Sequence, residues 1–164
     1  MTPTPTEQFI HTLQSLKPGD LGQLRRHAGL RLDESVDGFD LFSGLWWPLR
    51  QKDQKDRKSP RREVAWLIAK VFAFRPMPDR PGATLALSLG RMKPTEERAA
   101  RRRQQKFDEL LTLPLNQIEP ALQWALSLIA EKRAGLDWVR LTLELSIWER
   151  EATRLKWAEQ YLQL

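Results

Sequence analysis

Apolar residues return every three or four positions along this chain, and proline-bearing breaks cut the runs; no other feature constrains the fold as tightly. Strict apolar–polar alternation, the mark of a half-buried strand, is scarce. Pro18-Gly19-Asp20 reads as a break with Asp20 as N-cap, after which Leu21, Leu24 and Ala28 share one face. Ser59-Pro60 reads as a second start, with Ser59 capping and Pro60 in the first helical position. Val64, Leu67, Ile68, Val71 and Phe72 then form a core-facing stripe, which Arg75-Pro76-Met77-Pro78 stops.

Downstream, Pro94-Thr95 opens a helix with Thr95 as cap and Glu96 and Glu97 in its first turn. Phe107, Leu110 and Leu111 are its apolar end. From about Glu119 to Lys132, with Ile118 just ahead, Ala121, Leu122, Ala125, Leu128 and Ile129 repeat on one side. Asp137 caps a helix whose seam is Trp138, Leu141, Leu145 and Trp148, and a last helix carries Leu155, Ala158, Tyr161 and Leu162. The fold class is therefore all-α. Proline-rich connectors around Arg75 to Pro81 and Met92 to Pro94 divide it into two packed helical sub-bundles, an N-terminal half over 1–82 and a C-terminal bundle over 83–164. The polar stretch from Arg50 to Ser59 reads as a mobile loop.

Composition narrows the chemistry. The 164 residues are 41% hydrophobic and 29% charged, a globular balance, and contain no cysteine. Disulfides, thiolate metal sites and a cysteine nucleophile are excluded, which suits a reducing cytosol and a cytoplasmic location. No apolar run approaches the roughly 18 residues that span a bilayer, so no membrane partner is expected. His11 and His27 are the only histidines. There is no Gly-rich phosphate loop, and the pairs Asp53/Asp56 and Glu96/Glu97 lie among cations, where salt bridging accounts for them. The expectation is a non-enzyme with no cofactor and no metal.

Charge is concentrated rather than spread. The net charge is +6. Residues 50–62 carry a local +5 and residues 91–106 another +5, so the remainder of the chain is net acidic. Helical geometry puts Arg98, Arg101, Arg102 and Gln105 on one side of the second window, and Ala100, Arg103 and Phe107 on the other. Clustered guanidiniums repel one another unless an anion sits among them, and Arg binds phosphate through a planar fork. In the first window Arg62, Trp66 and Lys70 stand at i, i+4 and i+8, an aromatic between two cations that would suit a stacked base, although tryptophan at such a position also packs as core. The other tryptophans read as core or interface first and as base platforms second.

The chain resembles the CasB family, the small subunit of the type I-E CRISPR Cascade surveillance complex. The resemblance rests on Ser88-Leu89-Gly90-Arg91, an Arg-rich helix ending in Phe107-x-x-Leu110-Leu111, then Leu136-Asp137-Trp138 with Leu141, Trp148, Trp157-Ala158 and Tyr161. Leu24-Arg25-Arg26 and the helix from Arg62 to Val71-Phe72 match upstream. It implies a non-catalytic, all-helical subunit that sits as a homodimer among other Cascade subunits. There it would help hold the crRNA–target duplex and the displaced single-stranded DNA, stabilising the R-loop in antiviral defence. The nucleic-acid-binding residues expected from the charge windows and the resemblance together are Arg25, Arg26, Lys58, Arg61, Arg62, Arg91, Arg98, Arg101, Arg102, Lys106 and Arg150. Two departures stand out: Gln104 and Gln105 replace family arginines before Phe107, and Leu126-Ser127 replaces one in the next helix. The competing reading is a helical protein–protein adaptor, with exposed tryptophans and a basic surface docking an acidic partner.

Overall fold

The computed structural model describes residues 3–32, 36–51, 59–132 and 135–163, with the backbone alone for 36–39. The expected loop at 52–58, with Lys58, lies outside the described residues. Nine α-helices are described: α1 Pro5–Gln14, α2 Pro18–Arg25, α3 Val36–Arg50, α4 Arg62–Phe74, α5 Leu85–Arg91, α6 Glu97–Thr112, α7 Glu119–Glu131, α8 Trp138–Leu145 and α9 Glu151–Leu162. No strand occurs among the described residues, and the fold is all-α as the periodicity predicts.

Helix α4 is the axis. Every residue from Val64 to Ala73 is buried. A helix apolar on most of its faces must be covered on all of them. Accordingly α2, α3, α7 and α8 pack against it, while α1 packs on α3 and α8. The C-terminal helices build outward: α5 packs on α7 and α9, and α6 packs on α9. One continuous apolar core runs from Phe9 to Tyr161.

Helix boundaries depart from expectation in instructive ways. Helix α2 begins at Pro18, whose fixed φ suits the first turn, so Asp20 lies inside that turn rather than at the cap. Helix α4 begins at Arg62, not Pro60, because the Pro60 carbonyl is engaged by the Trp46 Nε1–H at 2.7 Å. At α6 the cap is Glu96 rather than Thr95: its two carboxylate oxygens accept the Arg98 and Ala99 amides at 3.0 and 2.8 Å. Asp137 caps α8 as expected, accepting from the Arg140 amide, but α8 ends at Leu145 and Trp148 lies in the following turn. In α9 the buried face is Thr153, Trp157 and Tyr161, leaving Leu155 and Leu162 58% and 43% exposed. Two aromatic side chains bury more area than two leucines and decide the rotation.

The connector from Met77 to Ala83 is stapled to the segment entering α8. Arg80 N–H donates to the Leu136 carbonyl at 2.9 Å, and Leu136 N–H returns a bond to Pro78 at 3.1 Å. Asp79 accepts the Trp138 amide at 2.9 Å, and the Trp138 indole donates to the Met77 carbonyl at 3.0 Å. Asp137 N–H donates to Ala83 at 2.8 Å, and its side chain accepts the Gly82 amide at 2.9 Å.

Helices α5 and α9 approach closely at Gly90. A Cβ there would collide with the Tyr161 carbonyl oxygen and lie 3.0 Å from its carbonyl carbon and Cα. Because the obstruction is backbone, a side chain at 90 must push the helices apart. Gly90→Ala is expected to cost about 1–3 kcal/mol of stability, read as a lowered urea midpoint. A second prediction concerns Glu144, 6% exposed, whose carboxyl burial pushes above its usual 4.5 against the opposing pull of the Trp157 indole, Lys156 and Arg140. The ionised form is then a cost of the folded state, present in full above the folded pKa and absent below about 4.5. Glu144→Gln should stabilise the protein at pH 7, and the gain should shrink as pH falls to 4.5, measured by denaturation across that range.

Candidate nucleic-acid interface

Helix α6 presents the densest cationic face. Arg98, Arg101, Arg102 and Lys106 are all exposed on its N-terminal two-thirds, while Phe107 and Leu110 are buried on the other side. Arg103 points inward as its position predicts, half-buried and donating to the Met92 carbonyl at 3.2 Å. Arg98 stands in the first turn of α6, at the positive end of the helix dipole, where a cation is unfavourable unless an anion joins it. Glu96 and Glu97 relieve part of this. Arg101 pairs with Glu97 at 2.6 Å, both nearly four-fifths exposed, and such a solvent-exposed pair yields readily to a phosphate. Lys106 Nζ sits 5.3 Å from the Trp124 ring centre, and Lys93 Nζ lies 4.8 Å from that of Tyr161.

A second cationic group surrounds a cleft of about 750 Å³ between α4, the turn after α2, the α6–α7 connection and the start of α9. Arg31, Arg62 and Arg154 line it together with Trp66, Trp148 and Leu30, and so do the carboxylates of Glu63, Glu119 and Glu149, so the cleft carries charge of both signs. Arg61 reaches across to Glu149 at 3.2 Å, which brings the start of α4 beside Arg150. A hydrogen bond from its own backbone N–H and the Arg61 guanidinium hold the Glu149 carboxyl below its usual 4.5. Arg154 Nη2 contacts the Glu149 carbonyl at 3.4 Å, and its Nε is buried without a hydrogen-bond partner.

The floor of this cleft is a buried ion pair. Lys70 Nζ lies 2.6 Å from Glu119 Oε1, with only 5% and 11% of the two side chains exposed. Lys70 also donates to the Leu30 carbonyl at 2.7 Å, which accepts the Trp66 indole at 2.9 Å as well. The second Glu119 oxygen accepts the Gly29 amide at 2.9 Å, and Gly29 has a φ of +80°, a turn conformation that glycine adopts without strain. One lysine and one glutamate thus lock the turn after α2 onto α4 and α7. Arg62, Trp66 and Lys70 do not form a base-stacking track: Arg62 is exposed, but Trp66 is 3% and Lys70 4% exposed, both held in the interior by their partners, so Trp66 takes the core role that sequence favoured over stacking.

Of the residues singled out from sequence, Arg25, Arg26, Arg61, Arg62, Arg91, Arg98, Arg101, Arg102, Lys106 and Arg150 are all exposed. Arg61 and Arg62 stand together at the start of α4, and the Arg61–Glu149 contact brings Arg150 near them; of these three Arg62 lines the cleft, and Arg25 and Arg26 lie just upstream of its Gly29–Leu32 wall. The cations of α6 form a separate group: Lys106 lies about 9 Å along the axis from Thr112, where α6 meets the cleft, with Glu109 exposed between them. Arg91 stands at the C-terminal end of α5, in neither group. Sequence reasoning missed Arg31, Arg154 and the Lys70–Glu119 pair. A lysine in the middle of an apolar stripe was the available signal, since a buried ammonium demands a carboxylate partner. Among the described residues no three His, Asp or Glu side chains gather as a metal site requires, and no described helix is long and apolar enough to cross a membrane.

A family described as CRISPR-associated protein Cse2 matches residues 20–162. Among solved structures, CasB from Thermus thermophilus is 24% identical with a TM-score of 0.73, the match covering 99% of this chain and 100% of that one. CasB from M. ruber is 21% identical with a TM-score of 0.72, over 99% and 94%. CasB from Thermobifida fusca is 15% identical with a TM-score of 0.71, over 96% and 95%. At these identities the likeness to each is one of fold. No curated protein matches the chain by sequence.

The buried pair yields a direct test. Lys70→Met leaves Glu119 without its cation and should cost about 3–5 kcal/mol, whereas adding Glu119→Leu should recover a large part of that loss. Equilibrium urea unfolding of the two variants measures both.

Proposed function

The chain belongs to the CRISPR-associated Cse2 family, the CasB small subunit of type I-E Cascade, and from that premise we propose that it is a non-catalytic nucleic-acid-binding subunit. It holds the displaced non-target strand and the crRNA–target duplex alongside the other Cascade subunits, as one of a pair of copies, and so favours the open R-loop. The energetics suit such a role. Exchanging a DNA duplex for an RNA–DNA heteroduplex is nearly balanced, so a modest grip on the released strand shifts the outcome. Backbone capture needs cations without base-reading geometry, because phosphates carry affinity and base edges carry sequence.

The observation that carries this reading is the face of α6, with Arg98, Arg101, Arg102 and Lys106 all exposed and one carboxylate, Glu97, paired among them. The cations around the cleft add a second anchor. The adaptor reading draws less support, since of the seven tryptophans only Trp47 is exposed, Trp46 and Trp124 are half-buried, and the rest are core.

Labelled single-stranded and duplex DNA titrated at several salt concentrations test the proposal. Log K should fall linearly with log salt, by about 0.7 to 0.9 per phosphate neutralised, and a flat response overturns the mechanism. Arg101→Ala with Arg102→Ala should weaken binding across unrelated sequences and lower the slope by about 1–2, whereas a loss confined to one sequence would mean base readout.

A further inference from the structure

We infer that Trp47 is a stacking platform for an unpaired nucleobase, approached over Gly44, with the cations at the start of α4 as its phosphate partners. The inference rests on the proposed nucleic-acid role and names a residue and a contact that the electrostatic argument does not supply. Trp47 is 53% exposed, an unusual position for the largest apolar side chain. It lies on the outer face of α3 with Asp40, Gly44 and Gln51.

Gly44 is the second observation. Glycine inside a helix is destabilising relative to alanine, so its presence calls for a reason. Its φ is not positive, and a Cβ built on it would meet nothing within 4 Å, so neither the backbone conformation nor packing requires it. The space above Gly44, one turn before Trp47 on the same exposed face, is thus empty, with no atom of the Trp47 side chain within 4 Å of that Cβ. A larger residue at 44 would fill this space ahead of the ring; glycine leaves it open. Pro48, inside the same helix, has no N–H to give the Gly44 carbonyl, so a hydrogen-bond acceptor lies beside the open ring.

The platform is also anchored. Phe42 is buried and stacks on Trp46 at 6.0 Å and 11°, and the Trp46 ring lies 6.0 Å from that of Trp47. The Trp46 indole in turn donates to the Pro60 carbonyl, directly ahead of the exposed Arg61 and Arg62. Arg50, exposed one turn beyond Trp47, adds a cation on the same helix. This surrounding charge selects a polyanion bearing free bases over an acidic-poor protein surface. Stacking on an indole is tolerant of sequence, as capture of an arbitrary displaced strand demands.

The experiment measures affinity of the full chain and its Trp47→Ala, Trp47→Leu, Trp47→Tyr and Gly44→Leu variants for a labelled thymidine oligonucleotide and for duplex DNA, each across salt. Thermal unfolding checks that the variants keep the fold. Single-strand affinity should fall about 5- to 100-fold in Trp47→Ala and Trp47→Leu, fall also in Gly44→Leu, and be largely restored by tyrosine. Duplex affinity should change less than about 2-fold and the salt slope should stay the same, because no phosphate contact is removed. Unchanged single-strand affinity in Trp47→Ala overturns the inference while leaving the electrostatic role standing. An equal loss on duplex, or full rescue by leucine, makes Trp47 an ordinary apolar contact and overturns it too. If the parent chain binds neither DNA, the role beneath the inference fails first.

Discussion

The burial of Lys70 beside Glu119 is the interaction on which the rest of the architecture turns. Helix α4 is covered on every side, so any charge it carries toward the interior must be neutralised there. Glu119 does this from the first residue of α7, while the remaining lysine protons and carboxylate oxygen fasten Leu30 and Gly29. Removing charge from water is expensive, and the expense is recovered only with such complete hydrogen bonding. The pair therefore acts less as a source of stability than as a register mark, admitting one arrangement of α2, α4 and α7 and rejecting near misses that would leave a naked ion. The mouth of the cleft, with Arg31, Arg62 and Arg154, is shaped by that arrangement.

Positive side chains in this molecule fall into two populations. Lys70 and Arg103 serve the fold: one closes an ion pair and the other satisfies a carbonyl in the α5–α6 connection. Arg98, Arg102, Lys106, Arg25, Arg26 and Arg62 extend into solvent, where their mutual repulsion weakens the folded state slightly and is offset only in part, by Glu96, Glu97 and the Trp124 ring beside Lys106. Glu97 and Glu149, carboxylate partners at the surface, sit in exposed pairs that exchange readily for another anion. The proposed grip on nucleic acid would give this exposed charge a use.

Much of the fold was legible because helices announce themselves through a period of 3.6. The stripe from Val64 to Phe72, the seam of α8 and its Asp137 cap all follow from spacing and capping chemistry. Three helices escaped notice for local reasons. Helix α1 is short although Thr4, Pro5 and Glu7 make a reciprocal cap; α3 is masked by Gly44 and Pro48; α5 spans only seven residues. In α9 two apolar faces were nearly degenerate in spacing, and only the size of Trp157 and Tyr161 separates them. Of the candidate interface, exposure of the arginines was readable from helical geometry. Their grouping was not, since bringing Arg61 to Glu149 requires contact across 88 residues.

The six hydrogen bonds that staple Met77–Ala83 to Leu136–Trp138 carry a mechanical consequence. Hinges need a strand of chain whose dihedrals turn independently, and a proline-rich link such as this is a natural place to seek such freedom. Instead it is riveted along its length, so twisting one half against the other would shear all six contacts together. Under the proposed function such a body would meet a curved polymer as a rigid last meets leather, with accommodation falling on the nucleic acid and on the long surface side chains.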